Sequence, residues 1–326
     1  MSAIPRRSFL ALASGACATP ALAQGVWNPA RPVTIVVGFP QGGRTDIACR
    51  LLLPGLQAAL GVPVEIDNRA GEAGNLGTEA VMSAKPDGYT LLLGSVGPMT
   101  INPHTVEGMT LDPRELAPVG LAGRSALVLC ADPALGLRDL AGLKAYLAGR
   151  REPLAYGSPG AGSLAHLAME MLRQQLGRPA MAHTPSRGSA AALQDLLGGR
   201  TKLLFDNASA VMPALRRAKA SGLLTTGLAR CPALTEIATA QEQGLPDLAF
   251  YAWIGLFAPR RTAAPMIVRL NAALNAAVAE AGLRAHLTGR GDEPGGGTPE
   301  ELARLMTADY DRWGRLARAS SIRTDA

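Results

Sequence analysis

The stretch from Val33 to Ala48, Val-Thr-Ile-Val-Val-Gly-Phe-Pro-Gln-Gly-Gly-Arg-Thr-Asp-Ile-Ala, permits few folds. Val33, Ile35, Val36 and Val37 form a short β-branched run bounded by Pro32 and Gly38, the pattern of a buried strand. Pro40, Gly42 and Gly43 then make a turn with little side-chain bulk over its backbone. Thr45 or Asp46 is placed to cap a helix over Ile47 to Leu60. A glycine turn feeding a helix N-terminus aims several N–H groups at one point, and the helix dipole favours an anion there. The same pattern also serves as an ordinary strand-to-helix turn, so its reading as a grip on a small carboxylate depends on the rest of the chain.

Ahead of this stretch, Pro5-Arg6-Arg7-Ser8-Phe9-Leu10 precedes the weakly apolar run Ala11 to Ala18 and the step Ala21-Leu22-Ala23. This is the pattern of a twin-arginine export signal over 1–23, cleaved after Ala23. The apolar run is too short for a permanent anchor. Cys17 raises a lipoprotein alternative, but Ser14 stands where an aliphatic residue belongs. The expected destination is the periplasm, with the mature chain starting at Gln24.

The composition narrows the class. The 326 residues are enough for two domains with separate cores. A hydrophobic content of 48% with only 4% aromatic suits Ala/Leu helices and glycine turns in an α/β protein. The signal carries two arginines and no acid, so the formal net charge of +6 falls to +4 on cleavage. That charge is spread out and not interleaved with aromatics, which argues against nucleic acid as a partner. Cys49, Cys130 and Cys231 are odd in number and far apart; one disulfide is permitted in this compartment but not required. None of the four histidines has metal-ligand spacing with another, so no zinc site and no cofactor are implied.

Further along, Val62 to Ile66 and Tyr89 to Ser95 read as strands, separated by the glycine-rich loop Asp67 to Gly77 and a helix over Thr78 to Ala84. Three strands that each end in a small or glycine-rich loop suit a parallel sheet whose carboxyl edge faces a ligand. Arg69 either supplies a cation to that ligand or pairs with a nearby acid.

These motifs resemble those of a known family. Pro40-x-Gly-Gly-x-Thr-Asp46, Asn68-Arg69-x-Gly71-x-x-Gly-Asn75-x-Gly77 and Pro86-Asp-Gly-Tyr-Thr-Leu-Leu-x-Gly94 look like the signature series of the Bug (TctC-like) receptors of tripartite tricarboxylate transporters. The likeness continues through Tyr156-Gly-Ser-Pro-Gly-x-Gly-Ser163, Phe205-Asp206-Asn207, Arg269-Leu-Asn-Ala-Ala-Leu274 and Pro299-Glu-Glu301. It spans essentially the whole mature chain. It implies a type II periplasmic binding protein: two α/β lobes with the ligand in the cleft between them. On that basis lobe one covers 24–124 and 251–326, and lobe two covers 125–250.

The residues support an alternation of strands and helices throughout. Strands are read over Ala126 to Ala131, Leu154 to Gly157, Ala180 to His183, Lys202 to Phe205, Leu223 to Leu228 and Tyr251 to Ala258. Helices fall over Leu137 to Ala148, Leu164 to Leu176, Ala190 to Leu197 and Ala210 to Lys219, with two terminal helices over Met266 to Ala281 and Pro299 to Ala317.

In lobe one the ligand is expected against Phe39, Gly42, Gly43, Thr45 and Asp46, with Ser95 at the end of the third strand. In lobe two it is expected against Ser158, Gly160, Gly162, Ser163 and His166, then Ser186, Arg187 and Gly188, and Asp206. The donors are read as N–H groups near Gly42, Gly43 and Thr45, facing Ser158, Gly162 and Ser163. Gly160-x-Gly162-x-x-Ala165 also matches a dinucleotide fingerprint, but no acid follows about twenty residues on. A nucleophile elbow would need glycine where Tyr156 stands.

Three positions depart from the family pattern. Ser186-Arg187 replaces a usual Tyr-Lys, Arg44 replaces a small residue, and Gln41 replaces a proline. Arg187 and Arg44 either meet ligand carboxylates or face solvent; Asp206 either accepts from a ligand or caps the next helix. The function read from all this is a monomeric, non-catalytic receptor that delivers a small carboxylate to membrane subunits of a tripartite transporter. The alternatives are presentation of the ligand to a sensor kinase, or an exported enzyme using Asp46 or His166.

Overall fold

The computed structural model describes residues 27–324, so the export signal and the start at Gln24 lie outside the described residues. Two sheets organise the chain. The first has the order β11-β4-β10-β3-β1-β2, the second β7-β6-β8-β5-β9.

In the first sheet β1 (Val33–Val37) lies parallel to β2 (Val64–Asn68) and β3 (Thr90–Ser95). Four of the five β1 residues are buried, as a strand covered on both faces requires. α1 (Arg44–Leu60) and α2 (Asn75–Met82) return the chain between these strands, and α3 (Asn102–Thr105) follows β3. β4 (Ala117–Ser125) then runs antiparallel to a later strand, and the chain passes directly into the second sheet at β5 (Leu127–Ala131).

The second sheet repeats the plan. α4 (Leu140–Ala148) leads to β6 (Leu154–Ser158), α5 (Leu164–Gln175), β7 (Met181–Pro185), α6 (Ser189–Leu197), β8 (Leu203–Asn207), α7 (Ala208–Arg216) and β9 (Ser221–Thr225). β6 is parallel to β7 and β8, while β5 runs antiparallel to β8 and β9.

The chain returns as β10 (Ala252–Ala258), buried at every position in the middle of the first sheet. α8 (Ala264–Ala279), α9 (Ala281–Gly289), β11 (Asp292–Gly296) and α10 (Pro299–Ala319) complete that lobe. α10 opens with a full capping box between Thr298 and Glu301. Its buried stripe runs Leu302, Met306, Asp309, Trp313, and Asp309 accepts from Trp253 Nε1 of β10 at 2.8 Å.

The two crossings between lobes are tied together by one buried hydroxyl. Thr226 Oγ1 accepts from the Leu127 N–H and donates to the Phe250 carbonyl, both at 2.9 Å. The lobes also meet along a seam on one flank. There Ser209 of α7 donates to Asp292 of β11 at 3.1 Å, and Cys231 Sγ lies 3.9 Å from the Gly291 carbonyl. Cys49 on α1, Cys130 on β5 and Cys231 are all buried free thiols.

Two strands, β4 and β11, and one helix, α9, were not anticipated; the helix expected over Met266 to Ala281 is α8, and α9 follows it after a sharp bend. At Glu280 the backbone turns extended (φ −58°, ψ 128°), and α9 sets off at 65° to α8.

Candidate functional site

The turn after β1 is shaped by Gly42, whose φ of 81° favours glycine. The helix begins at Arg44, three residues earlier than the capping pattern suggested: Gly43 is the N-cap of α1, and no side chain caps it. Thr45 and Asp46 are therefore inside the first turn. Asp46 is fully buried and faces backward, accepting from Gly42 N (2.8 Å), Arg50 Nε (2.8 Å), Arg50 Nη2 (3.0 Å) and Asn68 Nδ2 (3.0 Å). The Arg50 guanidinium, with these N–H donors, holds its carboxyl at about 2 against the desolvation of burial. Asp46 braces the turn from behind. Arg69 pairs with Asp67 at 2.8 Å, which settles it as a loop contact.

The loop after β6 is braced the same way from behind. Ser163 caps α5 by accepting from His166 N, and it donates to the Gly160 carbonyl at 2.7 Å. Gly162 (φ 71°) donates its N–H to His166 Nδ1 at 3.2 Å. The His166 ring stacks on His183 with centroids 3.8 Å apart, and His183 stacks in turn on Tyr156 at 5.0 Å. Ser158 Oγ, wholly buried, lies 2.7 Å from His183 Nε2 and 2.8 Å from the Gly160 carbonyl. Burial, then the neighbouring His166, lowers His183 to about 4, so this stack is uncharged near neutral pH.

Between the lobes lies a cleft of about 960 Å³. Phe39, Gly42, Gly43, Thr45 and Ser95 line it from lobe one; Gly160, Gly162, Ser163, Arg187, Gly188 and Asp206 line it from lobe two. Asp46, Ser158, His166 and Ser186 do not. The first three are turned into the bracing networks just described, and the Ser186 hydroxyl donates to Asp195 at 2.5 Å. The expected donors also change. The N–H groups of Gly42, Gly43 and Gly162 are already committed, to Asp46, the Pro40 carbonyl and His166 respectively.

What faces the cleft is a set of helix N-termini. α1 arrives from lobe one, and α5, α6 and α7 arrive from lobe two. α1, α6 and α7 have no side-chain cap; their N-cap residues are Gly43, Gly188 and Asn207. The opening N–H groups of a helix have no intrahelical partner, and each terminus carries a partial positive charge. Four such ends on one cavity make it a basin for an anion.

Arg44 adds a full charge. Its side chain lines the cleft, and its Nε is buried with no hydrogen-bond partner. Burial lowers its pKa, while Asp292 and Asp206 oppose that shift. Neither acid is close enough to form an ion pair with it, whereas Arg124, another cleft arginine of lobe one, is paired with Glu293 at 2.7 Å. Asp206 does not cap α7. Its Oδ1 accepts from Asn207 N (2.8 Å), Ser189 Oγ (3.1 Å) and Asn207 Nδ2 (3.2 Å), while Oδ2 is buried and unpartnered. Burial pushes this carboxyl upward, with Asn207, Ser189 and Arg44 pulling it down.

Sequence reasoning missed the wall built by Arg290, Asp292 and Glu293, which line the cleft beside Leu283 and Leu287 of α9. β11 carries no apolar alternation to reveal it. Thr324 was also missed: its N–H donates to the Thr105 carbonyl at 2.8 Å, and its methyl lies where a Cβ on Gly162 would meet it at 2.9 Å.

A two-lobed α/β fold with helix ends converging on an interlobe cleft defines a periplasmic binding protein, a receptor class that holds small solutes. The chain belongs to the family described as tripartite tricarboxylate transporter family receptors, which it matches over residues 48–322. Among relatives, it is 33% identical to protein BugT of Bordetella pertussis, covering 89% of each chain. Among solved structures, it resembles Rpa4515 of R. palustris with adipate (33% identity, TM-score 0.81, 91% of this chain and 99% of that one). It also resembles MatC of Rhodopseudomonas palustris with bound malate (32% identity, TM-score 0.77, 88% and 99%).

Proposed function

We propose that this chain is exported to the periplasm by the twin-arginine route, captures a small organic acid there, and hands it to the membrane subunits of a tripartite tricarboxylate-type transporter. The observation that carries the reading is the convergence of four helix N-termini, three of them uncapped, with the unpaired Arg44 side chain on one interlobe cleft. Such a basin holds an anion through N–H donors that need no rearrangement. The relatives solved with adipate and malate hold carboxylates, which suits this chemistry. Asp46 and His166, the acid/base candidates of the enzyme alternative, face away from the cleft and are committed to Arg50 and Gly162. That favours binding without turnover.

Thermal melting of the protein from Gln24, refolded to strip any bound acid, tests this against mono-, di- and tricarboxylates. At a hundred times its Kd, a ligand of the folded state adds about 2.7 kcal/mol of stability, a clear rise in Tm. Arg44→Ala is expected to weaken the best acid by about tenfold or more. A protein that no acid stabilises is not a carboxylate receptor.

A further inference from the structure

The cleft is not purely cationic, and two consecutive residues that line it each carry an unsatisfied acceptor. Asp206 Oδ2 and Asn207 Oδ1 are both buried and both lack a partner, at the corner where β8 enters α7. Asp206 is only 1% exposed, and both residues line the cleft. The orientation of the Asn207 amide is fixed by its neighbour. Nδ2 donates to Asp206 Oδ1, so Oδ1 of the amide is the atom left over. Asp206 Oδ1 already accepts three hydrogen bonds, which favour the carboxylate ion and partly offset the burial that pushes this group upward. A plain carboxylate brought to this corner would meet two acceptors and a negative charge. A group with several N–H bonds would satisfy both.

Building on the carboxylate reading, we infer that the ligand is an amino acid: its carboxylate lies toward Arg44 and the α1 terminus, and its ammonium donates to Asp206 Oδ2 and Asn207 Oδ1. An ammonium carries three donors and a positive charge, so it matches both orphan atoms at once. A hydroxyl carries one donor and no charge, so it satisfies one of them. The order of preference at equal skeleton is therefore ammonium, hydroxyl, hydrogen. The isosteric change Asp206→Asn removes the charge while leaving an oxygen to accept from Ser189 and Asn207.

Matched acids separate this inference from the broader one. The series are succinate, malate and aspartate; adipate, 2-hydroxyadipate and 2-aminoadipate; and propionate, lactate and alanine. Affinities are read by calorimetry on the protein from Gln24. In at least one series the amino member is expected to bind about tenfold or more tighter than the unsubstituted acid. Asp206→Asn should collapse that ratio toward one, its Tm confirming that it folds. Unsubstituted acids that bind as tightly as their amino partners overturn the inference and leave carboxylate capture standing. So does an amino preference that survives Asp206→Asn. Failure of every acid in all three series overturns both.

Discussion

Protonation of His183 would set a positive ring 3.8 Å from His166, whose Nδ1 accepts from the Gly162 N–H. The groups around this stack are Ser158, Tyr156, Glu170 and, beyond the last, Arg173, which pairs with Glu170 at 2.7 Å. Because the folded-state pKa of His183 is depressed to about 4 from an ordinary 6.5, the folded state prefers the neutral ring. That preference contributes stability in full above about pH 6.5, and it is lost as pH falls through about 4. Discounted for partial solvent access, the loss is on the order of 1–2 kcal/mol. His183→Gln should flatten the decline of Tm between those pH values; an unchanged slope would show that the stack is not what titrates. At this scale the sequence was partly legible. The glycine turns and the arginine at position 44 mark the cleft, yet Asp46 and His166 were expected against the ligand. The local signal against that lay in the sequence: Arg50 is four residues after Asp46 on the same helix face, and Gly162 is four before His166.

Helix α1 crosses α8 at Gly55, where a side chain would come within 2.8 Å of both Ala277 Cα and Cβ. The backbones approach this closely because neither side offers bulk, and the contact fixes the helix that presents Gly43 and Arg44 to the cleft. Gly55→Val should destabilise the protein by about 2–3 kcal/mol through overpacking, read as a fall in the denaturant midpoint; a loss under about 0.5 kcal/mol would mean the helices slide apart freely. Elements built on periodic apolar runs, such as β1, β10 and α10, were readable from sequence. β4 was not, because Ala-Pro-Val-Gly-Leu-Ala-Gly-Arg-Ser holds glycines where other elements press in. A Cβ on Gly120 would meet Asn271 Nδ2 at 2.9 Å. β11, Asp-Glu-Pro-Gly-Gly, lies at the sheet edge, where proline is tolerated and apolar alternation is not needed. α9, Ala-Gly-Leu-Arg-Ala-His-Leu-Thr-Gly, was not read either, because it is short, carries glycine near both ends and buries only Leu283.

The molecule as a whole is two sheets joined at Thr226, with further contact along the flank where Ser209 meets Asp292. The lobed plan was legible because each lobe repeats the same strand, glycine turn and helix. The charges inside the cleft were less so, since Arg44, Asp206 and Asp292 converge from three distant parts of the chain. The buried thiols are distributed over this plan in a useful way: Cys49 in one lobe, Cys130 in the other, and Cys231 on the seam beside Gly291. Burial raises all three above an ordinary thiol, Cys49 to about 12, so each is protected while covered. In the protein from Gln24 they become three native clocks, timed by a colour-forming disulfide reagent without any engineered label. Cys231 should be modified first, at a rate that bound ligand slows, while Cys49 and Cys130 wait for their own lobes to unfold. A Cys231 rate indifferent to ligand would mean that the seam stays shut while the cleft fills and empties.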